Sequence, residues 1–181
     1  MLMYYSTTYP SLVGLITLAC KDDMLVGLWI EGQKYHGSSI YESMIGKDDL
    51  PVFSAAKKWL DKYFDGVKPG VSELPLAPEG SEFRLAVWKI LCEIPYGEVI
   101  TYGYIAKKLA EKMNRVSMSS QAVGGAVGHN PISIMIPCHR VVGFNGSLTG
   151  YAGGVAKKQK LLELEGVDMS KLFTPGGGAA M

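Results

Sequence analysis

The chain has 181 residues, 48% hydrophobic and 19% charged, with a formal net charge of +1. It is long enough to bury an ordinary core, and its composition lies far from that of disordered chains. The 22 glycines and 9 prolines follow no period, which excludes collagen-like and low-complexity architectures and implies many tight turns.

In chain order, Met1–Thr8, Gly14–Cys20 and Met24–Ile30 are apolar, β-prone runs. Pro10-Ser11 and Lys21-Asp22-Asp23 separate them with turn residues, so a β meander is expected. Val52–Phe64 places Phe53, Ala56, Trp59, Leu60 and Phe64 on one helical stripe. Residues 66–80, rich in Gly and Pro, read as a linker. The expected organisation is an N-terminal α/β domain over 1–79, a mainly helical domain over 80–170 and a disordered tail over 171–181. Charge follows the same division. Residues 1–80 carry seven Lys/Arg against ten Asp/Glu, and residues 81–181 carry eleven against seven. An anionic partner therefore belongs with the second part.

Beyond the linker, Ser81 can cap a helix carrying Phe83, Val87, Ile90 and Leu91. Thr101 can cap another that aligns Tyr102, Ile105, Ala106 and Leu109. Ser117 or Ser119 starts a short, small-faced helix (Ala122, Gly124, Gly125, Ala126) that Gly128 stops. Two short helices with a tight connection suggest helix-turn-helix. Ile132–Ile136 reads as a short strand. Asn145-Gly146 predicts a hairpin, so Val141–Tyr151 is the expected wing. A last helix runs from Val155 to Glu165, with Gly166 as its stop. Val116–Cys138 holds no Lys, Arg, Asp or Glu, yet its serines, glycines and His129-Asn130-Pro131 argue against a membrane span.

Three cysteines, an odd number, make no disulfide scaffold, so a reducing compartment is expected: cytoplasmic, or nuclear in a eukaryotic source. No secretory signal is expected, because no basic residue precedes Lys21. Ile136-Pro137-Cys138-His139-Arg140-Val141 is the densest chemical constellation. A thiol acts at neutral pH when its pKa is depressed, and a neighbouring His or Arg can do that. The bland alternative is a small buried Cys beside a surface His and Arg. On an extended strand Cys138 and His139 would face opposite ways, so His139 would need a bend or a bridging water. Cys20 and Cys92 sit in apolar runs and read as inert core. No pair of His or Cys has zinc-site spacing, and no phosphate loop or dinucleotide fingerprint appears, so no metal and no cofactor are expected.

The second part resembles the O6-alkylguanine-DNA alkyltransferases. The resemblance rests on Tyr96-Gly-Glu-Val-Ile-Thr-Tyr102, Ala122-Val-Gly-Gly-Ala126, Asn130-Pro131, Ile136-Pro-Cys-His-Arg-Val141, Gly150-Tyr-Ala-Gly-Gly154 and Leu164-Glu-Gly166, in that order. It implies an RNase H-like α/β domain, with antiparallel sheet plus helix, followed by a winged helix-turn-helix domain. It implies direct-reversal DNA repair: an alkyl group passes irreversibly from guanine O6, and from thymine O4, to Cys138 in a single turnover. In this resemblance His139 is the base that reaches the thiol through a water, and Glu165 orients it, as in a protease triad. Tyr102 contacts the guanine ring and donates a proton, and Asn130 is the hinge beside the recognition helix. Ser133 and Val141 lie at the pocket, and Tyr151, Ala152 and Gly153 form its lid. Ser119, Gln121, Ala122, Gly124, Gly125 and Arg115 meet the minor groove of double-stranded DNA bearing O6-alkylguanine. The protein is expected to be a monomer with no membrane partner.

Two positions depart from the family pattern. Gln121 stands where an intercalating Arg is usual, and Ser133 stands where Pro is frequent. Some members carry a zinc in the N-terminal domain, but partners for Cys20 are missing here. Two other readings compete: a non-catalytic binder of alkylated DNA that recruits repair factors, and a winged-helix regulator with a sensor thiol. Cys138 argues against the first. The second predicts dimers on a palindromic site.

Overall fold

The computed structural model describes residues 3–37 and 40–176. The expected strand residues Met1 and Leu2, and residues 177–181 of the expected tail, lie outside the described residues. The meander forms as β1 (Tyr4–Ser11), β2 (Gly14–Lys21) and β3 (Met24–Ile30), paired antiparallel. A short strand that the sequence did not signal, β4 (Met44–Gly46), adds parallel to β1, giving the order β3-β2-β1-β4.

Helix α1 (Pro51–Phe64) lies on this sheet. Pro51 occupies the first helical turn, where its missing N–H costs nothing, and Val52, Phe53, Ala56, Trp59, Leu60 and Tyr63 are buried. The expected linker holds a 3₁₀ turn at Val71–Glu73, and Leu76 bridges to Leu25 of β3. It is a strap on the sheet edge.

Side-chain caps start three of the next helices. Ser81 accepts from Arg84 N–H at α2 (Glu82–Leu91), Thr101 from Tyr104 N–H at α3 (Tyr102–Lys112), and Ser119 from Ala122 N–H at α4 (Ser120–Gly128). Trp88 Nε1 donates to the Ala126 carbonyl at 2.8 Å and pins α4 onto α2. Helix α5 (Val155–Leu164) ends at Glu165, with Gly166 at φ +76° just beyond.

Three expectations fail. Ile132–Ile136 is not a strand: Ile132 makes one bridge to Leu28, Ile134 turns at φ +69°, and Met135 N–H bonds back to the Ser133 carbonyl. The run is apolar because it is buried, and burial alone does not extend a backbone. The wing is also incomplete. β6 (Val141–Val142) pairs parallel with β5 (Ile100–Thr101), and a turn closes from Gly143 N–H to the Ser147 carbonyl. The return arm then leaves for Phe173: Leu148 N–H donates to the Phe173 carbonyl and Phe173 N–H to that of Gly146. For the same reason residues 171–173 are part of the fold rather than the start of a tail.

One buried cluster runs through both parts, joining Ile16, Leu28, Phe53 and Leu60 to Val87, Leu91, Ile105 and Ile136. No helix among the described residues is long and apolar enough to cross a membrane. The charge-free stretch divides between α4, whose outer face is exposed, and the buried segment 132–138.

Candidate active site

Cys138 opens a 3₁₀ turn, Cys138–Arg140, rather than continuing a strand. Successive residues in such a turn splay about 120° apart. The thiol can therefore face one way while His139 and Arg140 both reach Glu165. All three turn residues are buried, which overturns the reading of a surface His and Arg.

Glu165 comes from the end of α5, and its side chain is fully buried. One carboxylate oxygen accepts from His139 Nε2 at 2.6 Å, Tyr63 Oη at 2.7 Å and an Arg140 terminal nitrogen at 3.0 Å. The other accepts from Arg140 Nε at 2.9 Å and Gly97 N–H at 3.1 Å. Burial penalises the ionised carboxylate, but the hydrogen bonds from His139 and Arg140, together with the Arg140 charge, overcome it and hold the pKa at about 2. Burial also lowers the pKa of His139, and the Glu165 contact offsets this only in part. The ring is therefore neutral at rest. A carboxylate only accepts, so Nε2 carries the proton and Nδ1 is a bare lone pair. His139 Nδ1 is buried and has no hydrogen-bond partner among the described residues.

Around the thiol, Asn130 donates from Nδ2 to the Ile136 carbonyl at 2.7 Å and accepts from Ile132 N–H at 3.0 Å. It ties the end of α4 to the segment leading to Cys138. Burial pushes the Cys138 thiol up, opposed by Asn130 and by the Lys158 charge. Lys158 is fully buried on α5 and donates to the carbonyls of Val141 and Thr149. Burial lowers its pKa to about 8, against the pull of Cys138. Tyr102 donates to the Thr149 carbonyl at 2.9 Å, and burial raises its hydroxyl to about 12. Tyr151 is buried, and its hydroxyl has no hydrogen-bond partner among the described residues.

Two surface cavities of about 520 and 440 Å³ meet at Gly124 and Gly150. Tyr151, Ala152 and Gly153 line the first, and Tyr102 and Gln121 the second. A Cβ on Gly150 (φ +81°) would sit 2.5 Å from Tyr102 Oη, so both backbone and space require glycine there. Ser119, Gln121, Ala122 and Gly125 are exposed along α4, as is Arg115 before it. Ser133 is buried near Cys138, and the Val141 side chain is buried in the core. Cys20 is buried, but Cys92 is exposed, contrary to its apolar run. Among the described residues no three His, Cys, Asp or Glu side chains cluster as metal ligands.

Sequence reasoning did not single out Tyr63 or Lys158. Lys158 had a signal, since it shares the helical stripe of Leu161, Leu162 and Glu165. Tyr63 shares the stripe of Ala56, Trp59 and Leu60, but nothing local pointed its hydroxyl to a partner 102 residues away.

A sheet-and-helix part and a helical part share one buried core, and Cys138 lies in it next to the buried His139–Glu165 pair. Residues 3–78 match the 6-O-methylguanine DNA methyltransferase ribonuclease-like domain, and residues 82–167 match the DNA binding domain of the same family. The chain belongs to the 6-O-methylguanine DNA methyltransferase family. A methylated-DNA–protein-cysteine methyltransferase of Haemophilus influenzae is 41% identical over 89% of this chain and 86% of its own. That of Methanosarcina acetivorans is 42% identical over 91% and 99%. The crystal structure of Mycobacterium tuberculosis OGT in complex with DNA superposes with a TM-score of 0.74 at 39% identity, covering 90% of this chain and 93% of that one.

Proposed function

We propose that this protein reverses alkylation damage in DNA by moving the alkyl group from guanine O6 to Cys138, once per molecule. The observation that carries this reading is the Glu165–His139 pair at 2.6 Å, fully buried beside Cys138 in a member of this family. His139 Nδ1 takes the thiol proton through one water, and Glu165 stabilises the imidazolium that forms. The thiolate attacks the alkyl carbon, the carbon–oxygen bond breaks, and a thioether remains. Tyr102 supplies a proton to the departing guanine. No water can hydrolyse a thioether under these conditions, so turnover stops at one.

A base inside duplex DNA is out of reach, so the lesion is flipped out, at a few kcal/mol. The cavities beside Tyr102 and Tyr151 are where it enters. Helix α4 meets the minor groove. Its exposed Ser119, Gln121, Ala122 and Gly125 carry no charge and no bulk, which suits close approach to sugar and phosphate. The second part acts as a winged helix-turn-helix unit, and the protein works as a monomer without sequence preference.

The test is mass spectrometry after incubation with O6-methylguanine duplex DNA. Intact protein should gain one methyl group, mapped to Cys138, and Cys138→Ala should gain none. Exposed Cys92 is the internal control: label there or on Cys20 overturns the assignment.

A further inference from the structure

Phe144 is 91% exposed, more than any other aromatic side chain among the described residues. A lone apolar side chain on a surface is ordinary. This one, however, is held out by a braced turn. Gly143 N–H donates to the Ser147 carbonyl at 2.8 Å, Gly146 N–H to that of Gly143 at 2.9 Å, and Ser147 N–H to Asn145 Oδ1 at 3.2 Å. The base of the turn is fixed from outside as well, because Phe173 N–H donates to the Gly146 carbonyl at 3.1 Å. A Cβ on Gly146 (φ +88°) would collide with the Lys171 carbonyl, so the turn packs on that segment without a gap.

The ring also shares a cavity with residues of the proposed DNA face. It lines the 440 Å³ cavity together with Ser120 and Gln121 of α4 and with Tyr102. The turn after β6 and the first turn of α4 thus present Phe144 and Gln121 to one depression. No charged side chain lines it. An uncharged depression with an apolar ring does not suit a phosphate. It suits the base and sugar edges of a groove. Duplex DNA bares an aromatic base face only where a step is opened, and Phe is among the side chains that minor-groove proteins insert into such steps.

We propose that Phe144 is a wedge that holds the duplex open during transfer. As the alkylated nucleotide leaves the stack past Tyr102, the ring packs on the base face left bare, and Gln121 meets the unpaired base by hydrogen bonds. The braced turn means that little freedom is lost when the ring inserts. Stacking then comes from the turn after β6, and the amide of Gln121 has only to satisfy polar groups.

The inference rests on the proposed function and deepens it. Its test compares single-turnover alkyl transfer to Cys138 from duplex DNA carrying O6-methylguanine and from free O6-benzylguanine, which has no stack to open. Phe144→Ala should slow the duplex reaction by roughly tenfold, the worth of one base–aromatic stack, and leave the free-base reaction unchanged. Phe144→Tyr keeps the ring and should keep the rate. The ring is uncharged, so the slope of duplex binding against log salt should be the same for Phe144→Ala and the natural chain. Gln121→Arg should raise the duplex rate more in the Phe144→Ala chain than in the natural one, since both side chains then cover the same stack. Four results overturn the proposal: an undiminished duplex rate for Phe144→Ala, equal slowing of both substrates, a loss that Phe144→Tyr shares, or a salt slope that changes by a whole charge. A natural chain that takes no methyl group from duplex DNA fails the functional reading and this inference with it. One that takes it at a rate Phe144→Ala matches fails this inference alone.

Discussion

Glu165 concentrates most of the site's electrostatics on two oxygen atoms. Five hydrogen bonds from Tyr63, Gly97, His139 and Arg140 converge there, and Arg140 is itself buried. A buried ion pair is weak evidence for stability, but removing one partner leaves the other charge uncompensated. Glu165→Gln should therefore act twice. Transfer should slow by roughly 10²–10⁴-fold, as for a positioned acid–base group, with His139→Ala similar and the double variant little worse than the poorer single. Single-turnover rates on labelled DNA check this, and near-wild-type rates in both singles would refute the relay. Stability should also change with pH. The Glu165 pKa falls from 4.5 unfolded to about 2 folded. Its stabilisation is present above the unfolded value and disappears as pH falls through the folded one, on the order of 3 kcal/mol in all. The Tm gap between the natural chain and Glu165→Gln should be wide at pH 6 and should narrow steadily towards pH 3.

Among the elements, the 3₁₀ turn and α4 decide what the site can reach. Had Cys138–Arg140 stayed extended, His139 and Arg140 could not both meet one carboxylate, because neighbours on a strand alternate faces. Helix α4 buries Val123, Ala126 and Val127 and leaves Gln121 exposed beside Tyr102. A glutamine offers a short neutral amide to the gap left by a flipped base. An arginine would add a planar cation that stacks and pairs with phosphate. Gln121→Arg should then speed transfer from duplex DNA and steepen its salt dependence by roughly one charge. It should leave the reaction with free O6-benzylguanine unchanged, since no base is flipped there. Equal acceleration of both reactions would mean that Gln121 acts on the pocket itself.

Across the whole molecule, the shared core ties the two parts into one stability unit. Phe53 and Leu60 of α1 belong to the same buried cluster as Val87, Ile105 and Ile136, and the active-site segment bridges directly to β3. Thermal unfolding should show a single transition, with coincident far- and near-ultraviolet signals and equal calorimetric and van't Hoff enthalpies. Two resolved transitions would mean that the interface between the parts is weaker than its burial implies.

The sequence by itself determined the helices, because their signals are local. Ser81, Thr101 and Ser119 cap where cap residues precede an apolar stripe, and Gly166 ends α5 in the left-handed conformation. It also singled out Cys138 and His139, which share one short motif, whereas Glu165 stands 26 residues further on and its role came only with the family resemblance. Only the tertiary structure decided the partners. Tyr63 meets Glu165 across 102 residues and Gln33 meets Ser133 across 100. The lost strand at Ile132–Ile136 and the divided wing have the same origin. Apolar patterning reports that a segment is buried, while its backbone path depends on which distant N–H and C=O groups are free to pair with it.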